Sequence, residues 1–311
     1  MTAAPGEPAL SAQPRAPGSR SALRPLARGV LLGLVFIVAI LVAWEGAKAL
    51  GGDPWRFRDG AGNEVTYRPP FKWPIASDLS LPHVWRIWEA LAAPVQRQQA
   101  QSLGAYLVGA ALYTGREAAL GFLAGAILGL ALAAVFVHSK LAERAFMPYV
   151  VASQTIPILA LAPLIAFAFG NGVLGIVIVA TYLTFFPVTI AQLRGLTSPD
   201  PRALELMRSC AASRWTVFWK LRMPASLPYL FAALKIAATA SIVGAIVGEG
   251  NPGGSQFGLG RSILNFNEQY TSGPEKLWAT ILAAGLLGLS FFLAVRIAEL
   301  VVLRGRPASA G

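Results

Sequence analysis

The sequence predicts an all-α integral membrane protein with six transmembrane helices. Of its 311 residues, 55% are hydrophobic and only 13% are charged, whereas charged residues make up about a quarter of an ordinary soluble domain. Six apolar segments each have about the length of a helix that crosses the ~30 Å hydrocarbon core of a bilayer. The basic residues that give the net charge of +11 lie mostly between these segments, on one predicted side of the membrane.

The N-terminal region predicts a tail followed by a membrane helix. Residues 1–28 are rich in Pro, Ala, Ser and Gly and contain four arginines, which is typical of a disordered basic tail. Residues 29–50 are apolar for long enough to span a bilayer, and no small-x-small cleavage site clearly follows them. We therefore expect a retained first transmembrane helix, and an extracytoplasmic segment at 51–112 that packs as a structural cap.

Five further spans are predicted from their apolar length. With both termini on one side, the arginine-rich tail and the basic loops between spans face the same side, which the positive-inside rule makes cytoplasmic. A short tail follows from residue 304. The predicted spans are 113–137, 146–169, 173–193, 227–247 and 277–303.

Small residues and prolines distinguish two of these spans. Three glycines at four-residue intervals on one helix face predict close packing against a neighbouring helix: Gly121, Gly125 and Gly129. The span 146–169 contains three prolines, which release backbone carbonyls. Such breaks survive in a membrane only against protein or a water-filled cavity, so this span either carries kinks satisfied by neighbouring helices or lines a pathway.

Polar side chains within the spans are candidates for a translocation path. Glu249 is the most informative, because a carboxylate at the edge of the hydrocarbon is expected to be paired or to face water, unless it lies outside the bilayer. Hydroxyl groups often bond to their own helix, so each of them also has a purely structural interpretation. The candidates are Gln154, Thr155, Pro157, Thr181, Tyr182, Thr184, Ser241 and Glu249.

A polar and basic stretch, residues 199–224, interrupts the apolar pattern. Asp200 before Pro201 is a well-matched helix start and predicts a helix to about Cys210. Ser213 is expected to cap a second helix with aromatic residues on one face, and Pro224 to end it. Such a stretch fits either an amphipathic helix on lipid or, as we prefer, a contact with another protein.

These residues resemble the membrane subunits of bacterial ATP-binding-cassette (ABC) importers, specifically the type I fold of the nitrate, sulfonate, taurine and pyrimidine-precursor group. The resemblance includes Leu-Pro-His-Val-Trp at 81–85, Ile-Pro-Ile-Leu-Ala-Leu-Ala-Pro-Leu at 156–164, and Ile-Val-Gly-Ala-Ile-Val-Gly-Glu at 242–249. Residues 197–224 correspond to the family's coupling loop. That loop has the pattern Glu-Ala-Ala, three residues, Gly, then about nine residues to an Ile-x-Leu-Pro-like end.

This chain keeps the glutamate of the coupling pattern as Glu205 but departs from it elsewhere. Leu206 and Met207 stand where the family usually has alanines, and Ala211 stands where it has glycine. If Ala211 must adopt a left-handed backbone, the missing glycine costs about 1 kcal/mol.

The resemblance implies the type I permease fold over 113–303 and a coupling helix that sits in a groove of a separate ATPase subunit. The coupling residues it implies are Glu205, Leu206, Met207, Arg208, Ala211, Ser213 and Pro224. It also implies a bacterial inner-membrane complex of two permease copies, two ATPase subunits and an extracytoplasmic binding protein. ATP and Mg would be used by the ATPase partner, and this chain would bind no cofactor.

The residues themselves predict neither an enzyme nor a metal site. No cluster of His, Cys and carboxylate gathers in one region, and the glycine-rich stretch 250–254 lacks the Gly-Lys-Ser/Thr of a phosphate-binding loop. The scattered basic residues do not form the continuous face that nucleic acid requires. An ion-coupled secondary transporter is the alternative, but it needs intramembrane charges, which are few here.

The transported solute is predicted only as a class. Residues 257–269 look like the branch of the family that carries vitamin-related heterocycles, such as pyrimidine or thiamine precursors and riboflavin, more than the sulfonate branch. A sulfonate or nitrate-type anion is the second expectation. Importers of this kind take much of their selectivity from the binding protein.

Overall fold

The computed structural model describes residues 20–58, 64–95, 100–170, 172–251 and 254–304. These fall into two compact units, residues 1–84 and 85–311. Most of the predicted N-terminal tail, residues 1–19, and most of the C-terminal tail, 305–311, lie outside the described residues.

The first unit contains one long helix and a small hairpin. Helix α1, Arg20–Gly51, includes an apolar part, Leu31–Gly51, that is long enough to cross a membrane. The backbone is already helical eleven residues before Leu31, where Arg, Ala and Leu favour helix. Strands β1, Trp55–Arg58, and β2, Glu64–Tyr67, pair antiparallel.

The segment after the hairpin is tied to the end of α1 by buried polar contacts. Lys48 is fully buried, and its ammonium group bonds the Asp78 carboxylate at 2.6 Å and the Leu81 carbonyl at 2.7 Å. Glu45 accepts from His83 Nδ1 and from the Val84 amide, both at 2.8 Å. A buried ammonium needs such partners, so this segment is anchored as a cap on the helix end.

The buried His83 ring is held in its neutral form. Burial lowers the pKa of this imidazole below its ordinary value of 6.5, although the hydrogen bond to Glu45 acts to raise it.

The second unit is a bundle of helices whose centre consists of α3, α6 and α9, which pack along one another, with α11 against α9. Its helices are α2, Val84–Ala92, which begins at the junction of the units; α3, Leu103–His138; α4, Lys140–Ser153; α5, Ile158–Phe169; α6, Val173–Thr197; α7, Pro201–Ser209; α8, Arg214–Val217; α9, Met223–Glu249; α10, Leu259–Glu268; and α11, Pro274–Val302.

The glycine triplet of α3 lies directly against α6. A methyl group on Gly121 would come within 2.3 Å of the Ala180 side chain, and one on Gly125 within 2.5 Å of Thr184. A methyl group on Gly129 would lie 2.7 Å from the Phe185 carbonyl oxygen. The two helices therefore approach so closely that no other residue fits at these positions without movement.

The span predicted at 146–169, whose prolines indicated kinks or a pathway, is formed by two helices. Helices α4 and α5 meet at a 101° bend. Pro157 causes the break, because it has no amide hydrogen to continue α4 and disfavours helical backbone at the preceding residue. Among the described residues, five helices are long and apolar enough to cross a membrane, or six if this bent pair is one span.

Two other predicted boundaries are wrong. Helix α3 begins at Leu103, ten residues before the predicted start, and its first turn is capped by the Ser102 hydroxyl, which accepts from the Ala105 amide at 3.3 Å. The predicted helix end at Pro224 is also absent. A π-helical stretch, Phe218–Arg222, joins α8 to α9 in one continuous helix. The wider turn of a π-helix accommodates the proline that follows it, which has no amide hydrogen to donate.

Candidate functional site: the coupling helix and the helix bundle

Helix α7 begins as its sequence predicts. The Asp200 carboxylate accepts a hydrogen bond from the Arg202 amide at 2.8 Å, and Pro201 occupies the first helical position. Proline has no amide hydrogen to lose at that position, and its ring fixes the helical φ angle. A nine-residue helix, which is marginal alone, thus gains a defined start.

The end of α7 is a left-handed turn at Ala211. Its φ angle is +51°, and it is the one residue other than glycine with positive φ among those described. The Ala212 amide donates to the Met207 carbonyl at 3.0 Å, and the Ala211 amide to the Arg208 carbonyl at 2.9 Å. These two bonds are the Schellman arrangement, which usually has glycine at the left-handed position. Ala211 therefore does adopt the left-handed backbone for which the sequence analysis expected a cost.

Six of the seven predicted coupling residues lie on α7 or on the turn that follows it. Leu206 is 65% exposed, and Glu205 is exposed beside it. Arg208, Ala211 and Ser213 are also exposed, and Met207 is half-buried. Pro224, the seventh, is half-buried in the first turn of α9.

The aromatic residues after α7 do not share one environment. Ser213 caps α8 by accepting from the Thr216 amide at 3.2 Å, as predicted. Phe218 is buried against the His138 ring, with centroids 5.0 Å apart, whereas Trp215 and Trp219 are 65% and 60% exposed. The helix that begins with α8 is therefore fixed to the end of α3 through Phe218. The Trp215 ring also lies 5.5 Å from the His138 ring, and both tryptophans remain largely exposed.

Among the candidate path residues, three lie at the bend between α4 and α5. Gln154, Thr155 and Pro157 are all exposed there. The Thr155 hydroxyl donates to the Ala152 carbonyl at 2.8 Å and so remains on its own helix. The bend thus exposes irregular backbone on the outside of the single chain.

The hydroxyl candidates on α6 and α9 are occupied within the bundle. Thr184 and Ser241 are fully buried, and each donates to a carbonyl of its own helix, at 2.7 and 2.8 Å. Thr181 reaches across to the Gly121 carbonyl of α3 at 3.4 Å, and Tyr182 donates to the Ser153 carbonyl of α4. In this conformation Thr181 and Tyr182 link neighbouring helices, while Thr184 and Ser241 bond within their own helices.

Glu249 closes the far end of the bundle. It is fully buried, and its Oε2 atom accepts from the Gly260 amide at the start of α10 at 2.7 Å. Gly258, with φ +128°, passes so close that a methyl group there would lie 2.4 Å from the Glu249 carboxyl. The carboxylate therefore binds the first turn of α10, where helix amides lack partners of their own.

A second buried carboxyl, on α3, was not selected as a site residue from the sequence. Glu117 is 1% exposed, neither of its oxygens bonds a donor among the described residues, and it interacts directly with Glu249. The sequence signal was a lone glutamate in an apolar helix, but its partner is 132 positions away.

An ion pair links the two helices on the outer side of the bundle. Lys235 of α9 contacts the Glu299 carboxylate of α11 at 3.0 Å, and Arg296 pairs with the same carboxylate. One acid thus neutralises two cations, which accounts for charged residues within otherwise apolar spans.

Comparison with known proteins identifies relatives of the bundle. The family described as "Binding-protein-dependent transport system inner membrane component" matches residues 121–302. A formylaminopyrimidine transport permease protein of Halalkalibacterium halodurans is 35% identical over 187 residues, which cover 60% of this chain and 73% of that protein. A riboflavin transport system permease protein of Chloroflexus aurantiacus is 29% identical over 167 residues, 54% of this chain and 61% of that protein.

Solved structures share the architecture. An inward-facing form of the MetNI methionine ABC transporter matches with a TM-score of 0.52 and 18% identity, over 72% of this chain and 99% of that one. An amino acid ABC transporter matches with a TM-score of 0.52 and 17% identity, over 62% and 92%. At such low identity the likeness shows the fold alone, and it confirms the predicted type I permease architecture.

Proposed function

Because this chain belongs to the family of binding-protein-dependent transport system inner membrane components, the permeases of ABC importers, we propose that its helix α7 receives ATP-driven motion from a separate ATPase subunit. The observation that carries this proposal is the exposed pair Glu205 and Leu206 on a short helix capped at both ends. A rigid helix with an exposed apolar side chain suits insertion into a groove of a partner.

The connection from α7 to the bundle supports a lever. The cap at Ala211 leads in two residues to α8, and α8 continues through the π-helical stretch into α9. Phe218 fixes this continuous helix to the end of α3. A displacement of α7 would therefore move whole helices, which is how rigid-body switching transmits force.

The energy source would lie outside this chain. The glycine-rich stretch 250–254 follows Glu249, at the opposite end of α9 from α7, and it lacks the Lys-Ser/Thr of a phosphate-binding loop. We assign ATP and Mg to the ATPase subunits and no cofactor to the permease. With α7 and the basic loops in the cytoplasm, both termini are cytoplasmic as well.

The translocation path would form between two copies of the permease. The bend around Pro157 exposes irregular backbone, and its neighbours Leu159 and Phe167 are 70% and 91% exposed. Irregular backbone at membrane depth is tolerated only against protein or a water-filled cavity. A second copy packed against α5 would cover the apolar residues and leave Gln154 and Thr155 beside the path.

The solute would be delivered by an extracytoplasmic binding protein and would be a vitamin-related heterocycle. Relatives named for a formylaminopyrimidine and for riboflavin support this class. A relative in Bacillus subtilis is named for aliphatic sulfonates, at 29% identity over 195 residues, so a sulfonate or nitrate-type anion is the second candidate.

A pair of variants tests the coupling role. In proteoliposomes with the ATPase, Leu206→Asp is expected to abolish transport and solute-stimulated ATP hydrolysis while the protein still inserts, because a charge would enter an apolar groove. Leu141→Asp is the matched control, since Leu141 is 80% exposed at the start of α4. Retained coupling in Leu206→Asp would refute the assignment of α7, and uptake that follows a proton gradient without ATP would favour an ion-coupled transporter.

A further inference from the structure

A cavity of about 600 Å³ lies on the side of α7 that faces the bundle. It is bounded by the end of α3, the start of α4, α7, and the helix that begins with α8. Its charged lining is basic throughout, and no acidic side chain lines it among the described residues. The charge-bearing side chains are Lys140, Arg208, Arg214 and Arg222, with His138 beside them.

Two of these cations have no partner in the structure. Arg208 and Arg214 make no hydrogen bond or ion pair from their side chains with any residue that the structure describes. Arg222 donates to the Leu196 carbonyl at 2.9 Å, which leaves its charge uncompensated, and Lys140 pairs with Glu143 at 2.7 Å. Several like charges around one space repel one another, and an anion placed among them would offset that repulsion.

The cavity lies on a different side of α7 from Leu206. Leu204 and Arg208 line it from positions four residues apart, so they share one side of the helix, and Ala212 lines it from the turn after α7. Leu206 lies about 200° around the helix from Leu204 and is exposed. An occupant of the cavity would therefore leave Leu206 free to enter an ATPase groove, while Arg208 belongs both to the cavity lining and to the predicted coupling residues.

We propose that this cavity binds a phosphate group, carried either by a soluble phosphate compound or by an anionic lipid headgroup. Guanidinium groups present fixed pairs of donors that match phosphate oxygens, and Arg208, Arg214 and Arg222 supply three of them. The volume lies within the range of small-molecule sites, about 300–1,000 Å³. A bound phosphate bridges Arg208 of α7 to Arg214 at the start of α8 and so holds the coupling helix against the helix it moves.

The first test measures anion binding by the full chain in detergent, without the ATPase. Pyrophosphate is expected to raise the thermal unfolding midpoint more than sodium chloride at equal ionic strength. The double variant Arg208→Gln/Arg214→Gln is expected to bind pyrophosphate about tenfold more weakly or worse, because charge-assisted hydrogen bonds are lost. Arg202→Gln is the matched control, since Arg202 is an exposed cation of α7 that does not line the cavity.

A second measurement needs no variant. Phenylglyoxal modifies accessible arginines, and pyrophosphate is expected to protect Arg208 and Arg214 in the wild-type chain while Arg202 still reacts. Native mass spectrometry tests whether the phosphate belongs to a lipid headgroup. The wild type and Arg202→Gln are expected to retain phosphatidylglycerol, and the double variant is expected to lose it. Pyrophosphate stabilisation with protection identifies a soluble ligand, and variant-dependent lipid retention identifies a headgroup.

Failure of both arms overturns the proposal. If neither pyrophosphate nor phosphatidylglycerol distinguishes the double variant from Arg202→Gln, the cavity binds no phosphate. If, in addition, the double variant loses association with the ATPase, the arginines serve carboxylates of that partner instead. Because the binding tests use the permease chain alone, their failure leaves the Leu206→Asp test of coupling untouched.

Discussion

Replacing Ala211 by glycine is expected to stabilise helix α7. Ala211 holds a φ angle of +51° at the end of α7, and a residue with a Cβ atom pays about 1–2 kcal/mol for the left-handed backbone. Glycine adopts this backbone without that cost. Its greater conformational freedom in the unfolded chain, however, lowers stability by about 0.4–1 kcal/mol. The net stabilisation of the α7 end is therefore about 1 kcal/mol.

Hydrogen exchange at this turn measures the effect directly. The Ala211 and Ala212 amides close the cap through the Arg208 and Met207 carbonyls, so they exchange only when the turn opens. A gain of about 1 kcal/mol slows their exchange about fivefold, because 1.4 kcal/mol corresponds to a factor of ten. Peptides that cover the end of α7 in the purified permease report this rate.

The neighbouring position supplies the control. Ala212 has an ordinary negative φ angle, so Ala212→Gly relieves no strain and is expected to speed exchange by adding unfolded-state freedom. Equal or faster exchange in Ala211→Gly would show that the left-handed turn costs nothing in the protein, and the strain reasoning would be refuted.

Three other changes follow from contacts within each unit. Gly121→Ala is expected to lower the unfolding midpoint, at a cost of about 1–3 kcal/mol, because its methyl group would lie 2.3 Å from a side chain of α6; Gly109→Ala, whose nearest atom would be 3.6 Å away, is expected to be tolerated. Burial holds the pKa of His83 below 6.5, so the contribution of the neutral ring to folding stability is complete above pH 6.5 and declines as the pH falls below that value. His83→Gln is therefore expected to flatten the fall of the thermal unfolding midpoint between pH 7.5 and 5.5. An unchanged slope would contradict this. Glu299→Gln leaves Lys235 and Arg296 without their ion-pair partner, whereas Lys235→Gln leaves Glu299 paired with Arg296. Thermal unfolding is therefore expected to show the larger loss of stability, about 1–3 kcal/mol, for Glu299→Gln.

Local signals predicted the starts of α7 and α8. Asp200 with Pro201, and Ser213, cap helices as their residue types indicate, since capping involves groups two or three positions apart. The glycine spacing at 121–129 indicated a packed face for the same reason.

Features that depend on distant partners could not be predicted. The contact between Glu117 and Glu249 joins residues 132 positions apart, so neither segment alone indicates it. The prolines indicated a break in the span at 146–169 but not the 101° angle between its two helices, because hydropathy predicts the length of a span and not its direction. The predicted helix end at Pro224 was wrong because a π-helical stretch before the proline keeps the helix continuous, and composition does not indicate such a stretch.

The uninterrupted run from Arg214 to Glu249 has a mechanical meaning. Its 36 residues make a rod of about 54 Å, with the Ala211 turn at one tip and the Glu249 carboxylate that grips α10 at the other. The two ends of the bundle are thus joined by one continuous helix. If α7 receives motion from an ATPase as proposed, a tilt of this rod at its Arg214 end would shift the loop at its Glu249 end at the same time, so no separate relay between the two ends is needed.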